Sequence, residues 1–130
     1  MTRVKQIFTW SEFDDAMCTL SLAIQSSGKV FKNIYGVPRG GLVVAVALSH
    51  LLDLSVITDA KLISSSTLVV DDISDSGNTL NVFMGWAGAF ATIHIVGGTK
   101  VIPDFFVWHR LEKWVVYPWE KVSQRGDNEQ

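Results

Sequence analysis

Apolar positions at helical spacing mark the first long segment of the chain, which begins at Ser11 and runs to about residue 25. Ser11 is a suitable N-cap, and the acidic residues of the following turn suit the positive end of a helix dipole. The predicted buried face is formed by Phe13, Met17, Leu20 and Ile24. Two later apolar segments, 42–52 and 79–86, predict further helices.

Short apolar runs lie between these segments and predict strands. The predicted strands span 30–37, 54–58, 67–70, 91–96 and 105–108. Strands that alternate with helices indicate an α/β fold, with a mostly parallel sheet flanked by helices. Ligands of such sheets bind beyond the carboxyl ends of the strands, where loops 36–41 and 71–79 are both expected. We expect a single domain over 1–122 and a polar, disordered tail at 123–130.

Composition narrows the class of protein. The chain is 48% hydrophobic with a formal net charge of −2, which indicates a globular protein without the basic surface of a nucleic-acid binder. Its longest apolar stretch, Leu42 to Leu48, is too short to cross a bilayer, and the first ten residues lack the apolar centre of a signal peptide. We therefore expect a cytoplasmic protein that has no membrane partner.

Cysteine and histidine add little chemistry. Cys18 is the one cysteine, so no intrachain disulfide can form, and its helical, apolar neighbours predict that it is buried as a small hydrophobic residue. The three histidines have no metal-ligand spacing, and we interpret His50, His94 and His109 as structural or surface residues.

The segment 71–79 is the most informative part of the sequence. Asp71 and Asp72 directly follow an apolar strand, Asp75 comes next, and small polar residues continue to the start of a helix. Backbone amides at a helix start attract anions, and small side chains leave those amides accessible. Carboxylates suit sugar hydroxyls or a hard cation such as magnesium. The segment therefore predicts a pocket for a phosphorylated sugar.

This segment resembles the phosphoribosyl pyrophosphate (PRPP) fingerprint of the type I phosphoribosyltransferases. Gly-Val-Pro-Arg-Gly-Gly at 36–41 resembles the pyrophosphate loop of that family. Segments 7–10 and 114–120 resemble the opening and the closing purine-site segment of the bacterial xanthine-guanine enzymes. The order and spacing of these segments fit along nearly the whole chain.

The resemblance implies a compact type I phosphoribosyltransferase fold and a defined reaction. Phosphoribose would pass from PRPP to a 6-oxopurine (guanine, xanthine or hypoxanthine), with release of pyrophosphate, as in purine salvage. Magnesium would be the cofactor, PRPP and a purine base the partners, and a homo-oligomer, dimer or tetramer, the assembly.

The resemblance also assigns roles to individual residues. Asp75 matches the general base that takes a proton from purine N7, although without the resemblance it reads equally as a helix N-cap. PRPP would contact Arg39, Gly40, Asp71, Asp72, Asp75, Ser76, Gly77, Asn78 and Thr79. Magnesium would be held by Asp71, Asp72 and, where the family usually has aspartate, Glu120.

The purine would contact a second set of residues. Trp114 matches the aromatic residue that stacks on the base, although most tryptophans simply pack in cores. Val115 would present backbone atoms to the edge of the base. In purine enzymes a lysine after the strand that matches 93–96 reads the exocyclic oxygen, but Val96 or Gly97 holds that position here. Lys100 is the candidate replacement, or else a surface lysine.

A second departure concerns the hood, a long mobile segment that covers the reacting centre in the family. Here 56–67 leaves a short connection, so water would be excluded less well and the reaction would be slower. The shortened hood keeps open a non-catalytic PRPP- or nucleotide-binding protein, although such a binder needs no base at Asp75. The missing lysine keeps open a phosphoribosyltransferase for a different base.

Overall fold

The computed structural model describes residues 5–110 and 114–121, and its elements confirm the predicted α/β class. The predicted tail at 123–130 lies outside these residues. The helices are α1 (Trp10–Ser26), α2 (Gly40–Leu52), a short 3-10 helix (Ala60–Leu62) and α3 (Asn78–Asn81). The strands are β1 (Lys5–Ile7), β2 (Asn33–Gly36), β3 (Ser55–Ile57), β4 (Thr67–Ser74), β5 (Ala89–Ile95), β6 (Phe105–His109) and β7 (Trp114–Val116).

The main sheet has the order β3-β2-β4-β5-β6, and all of its neighbouring strands are parallel. Successive residues of the central strand point to opposite faces, so Leu68 and Val70 pack with α1 and α2, whereas Val69 packs on the other side. On that other side Ile63, Leu80 and Phe83 complete a second, smaller core. The sheet is therefore covered on both faces, and its carboxyl edge is left for the connecting loops.

Helix α1 begins two residues earlier than the sequence pattern predicts. Its N-cap is Thr9 and not Ser11, because Thr9 and Glu12 form a capping box. The Thr9 hydroxyl accepts from the Glu12 amide at 3.1 Å, and the Glu12 carboxylate accepts from the Thr9 amide at 2.9 Å. The prediction for Cys18 is also wrong, since the buried face of α1 leaves this residue exposed.

Two predicted boundaries near segment 71–79 were wrong. Strand β4 continues to Ser74, because β5 runs beside it and pairs Asp71 with Thr92 and Ser74 with Ile95. Asp71 and Asp72 thus lie within the last part of the strand and not beyond it. The helix predicted at 79–86 is the short α3, which gives way to turns that include Gly85 at φ 77°.

A separate two-stranded parallel sheet joins the two ends of the described chain. Strand β1 pairs with β7, which places Lys5 opposite Trp114 and Ile7 opposite Val116. The Phe8 amide then donates to the Val116 carbonyl at 2.9 Å. This pairing holds the closing segment beside the main sheet. No helix among the described residues is long and apolar enough to cross a membrane.

Candidate active site

Loop 37–40 and the end of β4 meet because β2 and β4 are parallel neighbours in the sheet, with Gly36 opposite Val70. The approach is close enough that a side chain at Gly40 would collide with the carboxylate of Asp72. A Cβ atom at Gly41 would lie 2.5 Å from the Val70 carbonyl oxygen. The Gly-Gly pair of the sequence is therefore explained by the contact between this loop and β4.

Arg39 lies at the N-terminus of α2, in an exposed position. The peptide bond that precedes it, Pro38–Arg39, is cis. Its side chain lines a cavity of about 390 Å³, whose other walls are formed by Gly40, Val43, Asp72, Trp119, Glu120 and Lys121. This cavity has both a cation and carboxylates on its walls, as a site for a metal-bound polyphosphate requires.

A second cavity, of about 180 Å³, is enclosed by 71–77 together with Thr79 and Leu80. Asp72 lines both cavities, so the two are adjacent and the acid pair stands where they meet. A ligand that carries negative charge at both ends and hydroxyl groups between them matches this arrangement. The carboxylates would face its centre. Its ends would face Arg39 and the loop 75–79, called the amide loop below.

Gly77 gives the second cavity its tight turn. Its φ is 87°, which a residue with a side chain resists, and a Cβ atom there would lie 2.7 Å from the backbone nitrogens of Lys100 and Val101. The Lys100 amide donates to the Ser76 carbonyl at 2.9 Å, and the Ser74 hydroxyl donates to the Val101 carbonyl at 2.8 Å. Segment 99–101 therefore supports the loop from behind.

The side chain of Lys100 also lies on this loop. Its Nζ atom donates to Oδ1 of Asn78 at 2.7 Å. The structure thus places Lys100 beside the amide loop, where its charge adds to the field that attracts an anion.

The acid pair is half-buried, and this burial raises the pKa of both carboxyl groups. The pKa of Asp71 rises to about 9, first through burial and then through the charge of Asp72. The Asp72 amide donates to Oδ1 of Asp71 at 2.9 Å, but one amide does not balance two adjacent charges. A cation bound beside the pair would therefore favour ionisation of both carboxyls.

The pair is chemically suited to magnesium, which takes oxygen ligands and commonly uses one or two carboxylates together with substrate phosphates. Among the described residues no three potential ligands gather into a complete metal site. Glu120 lines the larger cavity with Asp72, and its Oε1 accepts from the Tyr117 amide at 2.6 Å. Burial also raises the pKa of Glu120.

Asp75 stands at the exit of β4, with its side chain half exposed. Its Oδ2 lies 3.6 Å from an Nη atom of Arg110, a residue that directly follows β6. The Arg110 guanidinium carbon lies 5.8 Å from the ring centroid of Trp114. Arg110 thus contacts both Asp75, the predicted general base, and Trp114, the residue predicted to stack on the purine.

Sequence reasoning missed Arg110. The one available signal was its position after a strand, at the same carboxyl edge as the other site residues. Trp114 and Val115 lie on β7, the first half exposed and the second buried opposite Gln6. The structure therefore brings Asp75, Arg110 and Trp114 together, with Lys100 on the neighbouring loop.

No family model matches the chain, but individual known proteins resemble it over most of its length. A curated xanthine-guanine phosphoribosyltransferase of Nitratidesulfovibrio vulgaris is 23% identical over 94% of this chain and 90% of its own length. The xanthine-guanine phosphoribosyltransferase of Desulfotalea psychrophila is 28% identical over 72% of this chain and 73% of its own length.

Solved structures give the same result. The purine phosphoribosyltransferase of Pyrococcus horikoshii superposes with a TM-score of 0.77 at 29% identity and covers 90% of this chain and 94% of its own. The xanthine-guanine-hypoxanthine enzyme of Helicobacter pylori has a TM-score of 0.75 at 21% identity, covering 89% and 94%.

The fold is that of a type I phosphoribosyltransferase. The chain is most like the xanthine-guanine phosphoribosyltransferases, which confirms the resemblance found in the sequence.

Proposed function

We propose that this protein transfers phosphoribose from PRPP to a 6-oxopurine and releases pyrophosphate. The observation that carries the proposal is the pair of adjacent cavities that share Asp72. PRPP has a phosphate at one end, a pyrophosphate at the other and ribose hydroxyls between them. The amide loop would match the phosphate, Arg39 the pyrophosphate and the acid pair the ribose hydroxyls between them.

The donor would be held at three places. The 5′-phosphate would bind to the amides and hydroxyls of Ser76, Gly77, Asn78 and Thr79. Asp71 and Asp72 would accept hydrogen bonds from the ribose hydroxyls, while Arg39 and the Gly40 amide would bind the pyrophosphate. Asp71, Asp72 and Glu120 offer oxygen ligands for magnesium, which when bound would offset the charge of the leaving pyrophosphate.

The chemistry would be a displacement at ribose C1. The bond from C1 to the pyrophosphate oxygen breaks, and its electron pair leaves with pyrophosphate. A purine ring nitrogen, N9, forms the new bond to C1, and Asp75 accepts the proton from N7. Because charge develops on the ribose ring, positioning and electrostatic stabilisation would supply most of the acceleration.

The base would stack on the exposed face of Trp114, and the backbone near Val115 would line its edge. Lys100 is the residue proposed from the sequence to donate to the 6-oxygen. Its Nζ would first have to leave Asn78, to which it already donates.

A non-catalytic PRPP- or nucleotide-binding protein is the second candidate, and the connection between β3 and β4 favours it. This connection contains one short 3-10 helix, and Ile63 anchors it in the smaller core. It cannot cover the site as a long hood would, so water would reach the reacting centre more easily.

A panel of acceptors tests these proposals. The protein is mixed with PRPP, magnesium and, separately, guanine, xanthine, hypoxanthine, adenine and orotate, and nucleotide is measured by chromatography. We expect nucleotide from the three 6-oxopurines. PRPP binding without nucleotide from any base would favour the non-catalytic binder, and nucleotide from adenine or orotate alone would identify a different acceptor. Size-exclusion chromatography with light scattering tests the proposed dimer or tetramer.

A further inference from the structure

Arg110 carries a buried donor that nothing in the described part of the chain satisfies. Its side chain is 13% exposed, and Nε is the one buried side-chain nitrogen or oxygen among the described residues that has no hydrogen-bond partner. An unpaired buried donor is unfavourable, because it has lost water without gaining an acceptor. Because Arg110 lies beside Asp75, which lines the smaller cavity, a ligand bound there is a suitable source of the missing acceptor.

The neighbours of Arg110 define where that acceptor would be. One Nη atom lies 3.6 Å from Asp75, and the guanidinium carbon lies 5.8 Å from the Trp114 ring centroid. Under the proposed function, Asp75 faces N7 and Trp114 faces the plane of the base. In a 6-oxopurine the 6-oxygen projects from the ring beside N7. A group adjacent to both residues is therefore placed at the 6-oxygen.

Resting on that function, we infer that Arg110 recognises the 6-oxygen and selects 6-oxopurines over purines that lack it. A guanidinium has donors only, so it pairs with a carbonyl oxygen and cannot pair with the amine that adenine carries at the same position. Its planar fork already suits the O6 and N7 edge of guanine in nucleic-acid recognition. Here Asp75 would accept the proton of N7, so Arg110 would donate to the 6-oxygen alone.

Lys100 is less well placed for this role. Its ammonium group donates to Asn78, and its backbone amide donates to Ser76, so both ends of the residue are held on the amide loop. Arg110, in contrast, starts from the end of β6, where its amide donates to the Ile95 carbonyl at 2.7 Å. Its side chain then runs between Asp75 and Trp114. Arg110 thus serves the base, and Lys100 serves the phosphate loop.

A pair of acceptors tests recognition at position 6. Guanine and 2-aminopurine are compared, since 2-aminopurine lacks the 6-oxygen and the N1 hydrogen that goes with it, and a guanidinium can pair only with the oxygen. The ratio kcat/KM for each is measured in the parent protein, Arg110→Met, Arg110→Lys and Lys100→Met. The parent should prefer guanine by roughly 100-fold or more, as expected of a site built to bond one group. Arg110→Met should reduce the preference to within about tenfold, and Arg110→Lys should restore part of it. Lys100→Met should keep the preference.

The ratio separates recognition from positioning. If Arg110 only holds Asp75, Arg110→Met will slow both bases equally, the ratio will stay unchanged and the inference will be wrong. Loss of the preference in Lys100→Met alone would also overturn it. A parent that uses both bases equally well would refute it without any variant, so the test does not depend on the folding of Arg110→Met. If the parent forms no nucleotide from any purine, the proposed function itself fails.

Discussion

The proposed donor half of the site and the proposed acceptor half are built in different ways. The proposed donor half consists of Asp71, Asp72 and loops 37–40 and 75–79, which come from contiguous segments at strand ends and approach closely at glycines. The acceptor half consists of Arg110, Trp114 and the adjoining β7, and it depends on side chains brought together by long-range pairing. A backbone-built site depends on a few short segments, whereas a side-chain site changes with single substitutions.

This difference bears on how the chain departs from its relatives. Its proposed donor loops resemble those of the type I phosphoribosyltransferases, whereas Val96 or Gly97 stands where the resemblance leads us to expect a lysine in the proposed acceptor half. Substitutions in the donor half should abolish binding of PRPP, and those in the acceptor half should alter the choice and affinity of the base.

The largest effect is expected for Gly77→Val. The new side chain would meet the backbone of Lys100 and Val101 and would strain a residue at φ 87°, so PRPP binding measured by calorimetry should fall below detection. Gly85→Val is the matched control, because Gly85 has φ 77° but open space around it. If Gly77→Val still bound PRPP, the amide loop would not be part of the donor site.

Asp75→Asn should lower kcat by roughly 100- to 10,000-fold, the usual contribution of a general base. The amide keeps the shape of the side chain but cannot accept the N7 proton. PRPP affinity should stay within a few-fold of that of the parent, since Asp75 is half exposed and lies outside the acid pair. Turnover equal to that of the parent would assign proton transfer to another group.

Trp114→Ala should weaken binding of the purine and leave binding of PRPP unchanged. Base–aromatic stacking is worth about 1–3 kcal/mol, so KM for guanine should rise roughly 5- to 150-fold. Trp86→Ala provides a control at similar exposure, 41% against 45%, on a tryptophan that contacts Phe83 of the smaller core, whereas Trp114 contacts Arg110. An equal change of KM in both variants would mean that Trp114 only packs.

The smallest effect concerns His94, which supports the acceptor half through a 3.0 Å hydrogen bond between Nδ1 and the Tyr117 hydroxyl. Burial lowers the pKa of His94 to about 4 from an ordinary value of 6.5. Between these values the unfolded chain binds more protons than the folded one, so the free energy of unfolding should fall as pH drops from 6.5 to 4.

Denaturant unfolding of His94→Gln against the parent across this pH range isolates that contribution. The difference in stability between the two proteins should change with pH, because the variant lacks the titrating ring. The comparison is needed because the raised pKa of Asp71 acts in the opposite direction and stabilises the folded protein as pH falls. A pH-independent difference would show that His94 has the same pKa in the folded and unfolded states, and so that burial does not lower it.

The sequence could predict the donor half because strand, loop and glycines are contiguous there. It placed Asp71, Asp72 and Gly77 correctly at the carboxyl edge, but it ended β4 too early, since pairing with β5 extends the strand. It predicted too long a helix after Asn78, because the turn at Gly85 competes with apolar helical spacing.

The acceptor half could be predicted only in part. Trp114 was recognised from a motif, but the three-residue strands β1 and β7 are too short to show a pattern of their own. Arg110 becomes a site residue only when β6 and β7 bring it beside Asp75 and Trp114. Such contacts depend on non-local packing, which no local sequence pattern encodes.

The fate of PRPP tests the central claim most directly. The protein is incubated with PRPP, magnesium and guanine, and nucleotide, pyrophosphate and ribose 5-phosphate are quantified together. We predict that pyrophosphate equals the sum of nucleotide and a smaller amount of ribose 5-phosphate, which forms by hydrolysis because the short connection at 58–66 leaves the centre open to water. Consumption of PRPP to ribose 5-phosphate without nucleotide, or no consumption despite PRPP binding, would contradict the account.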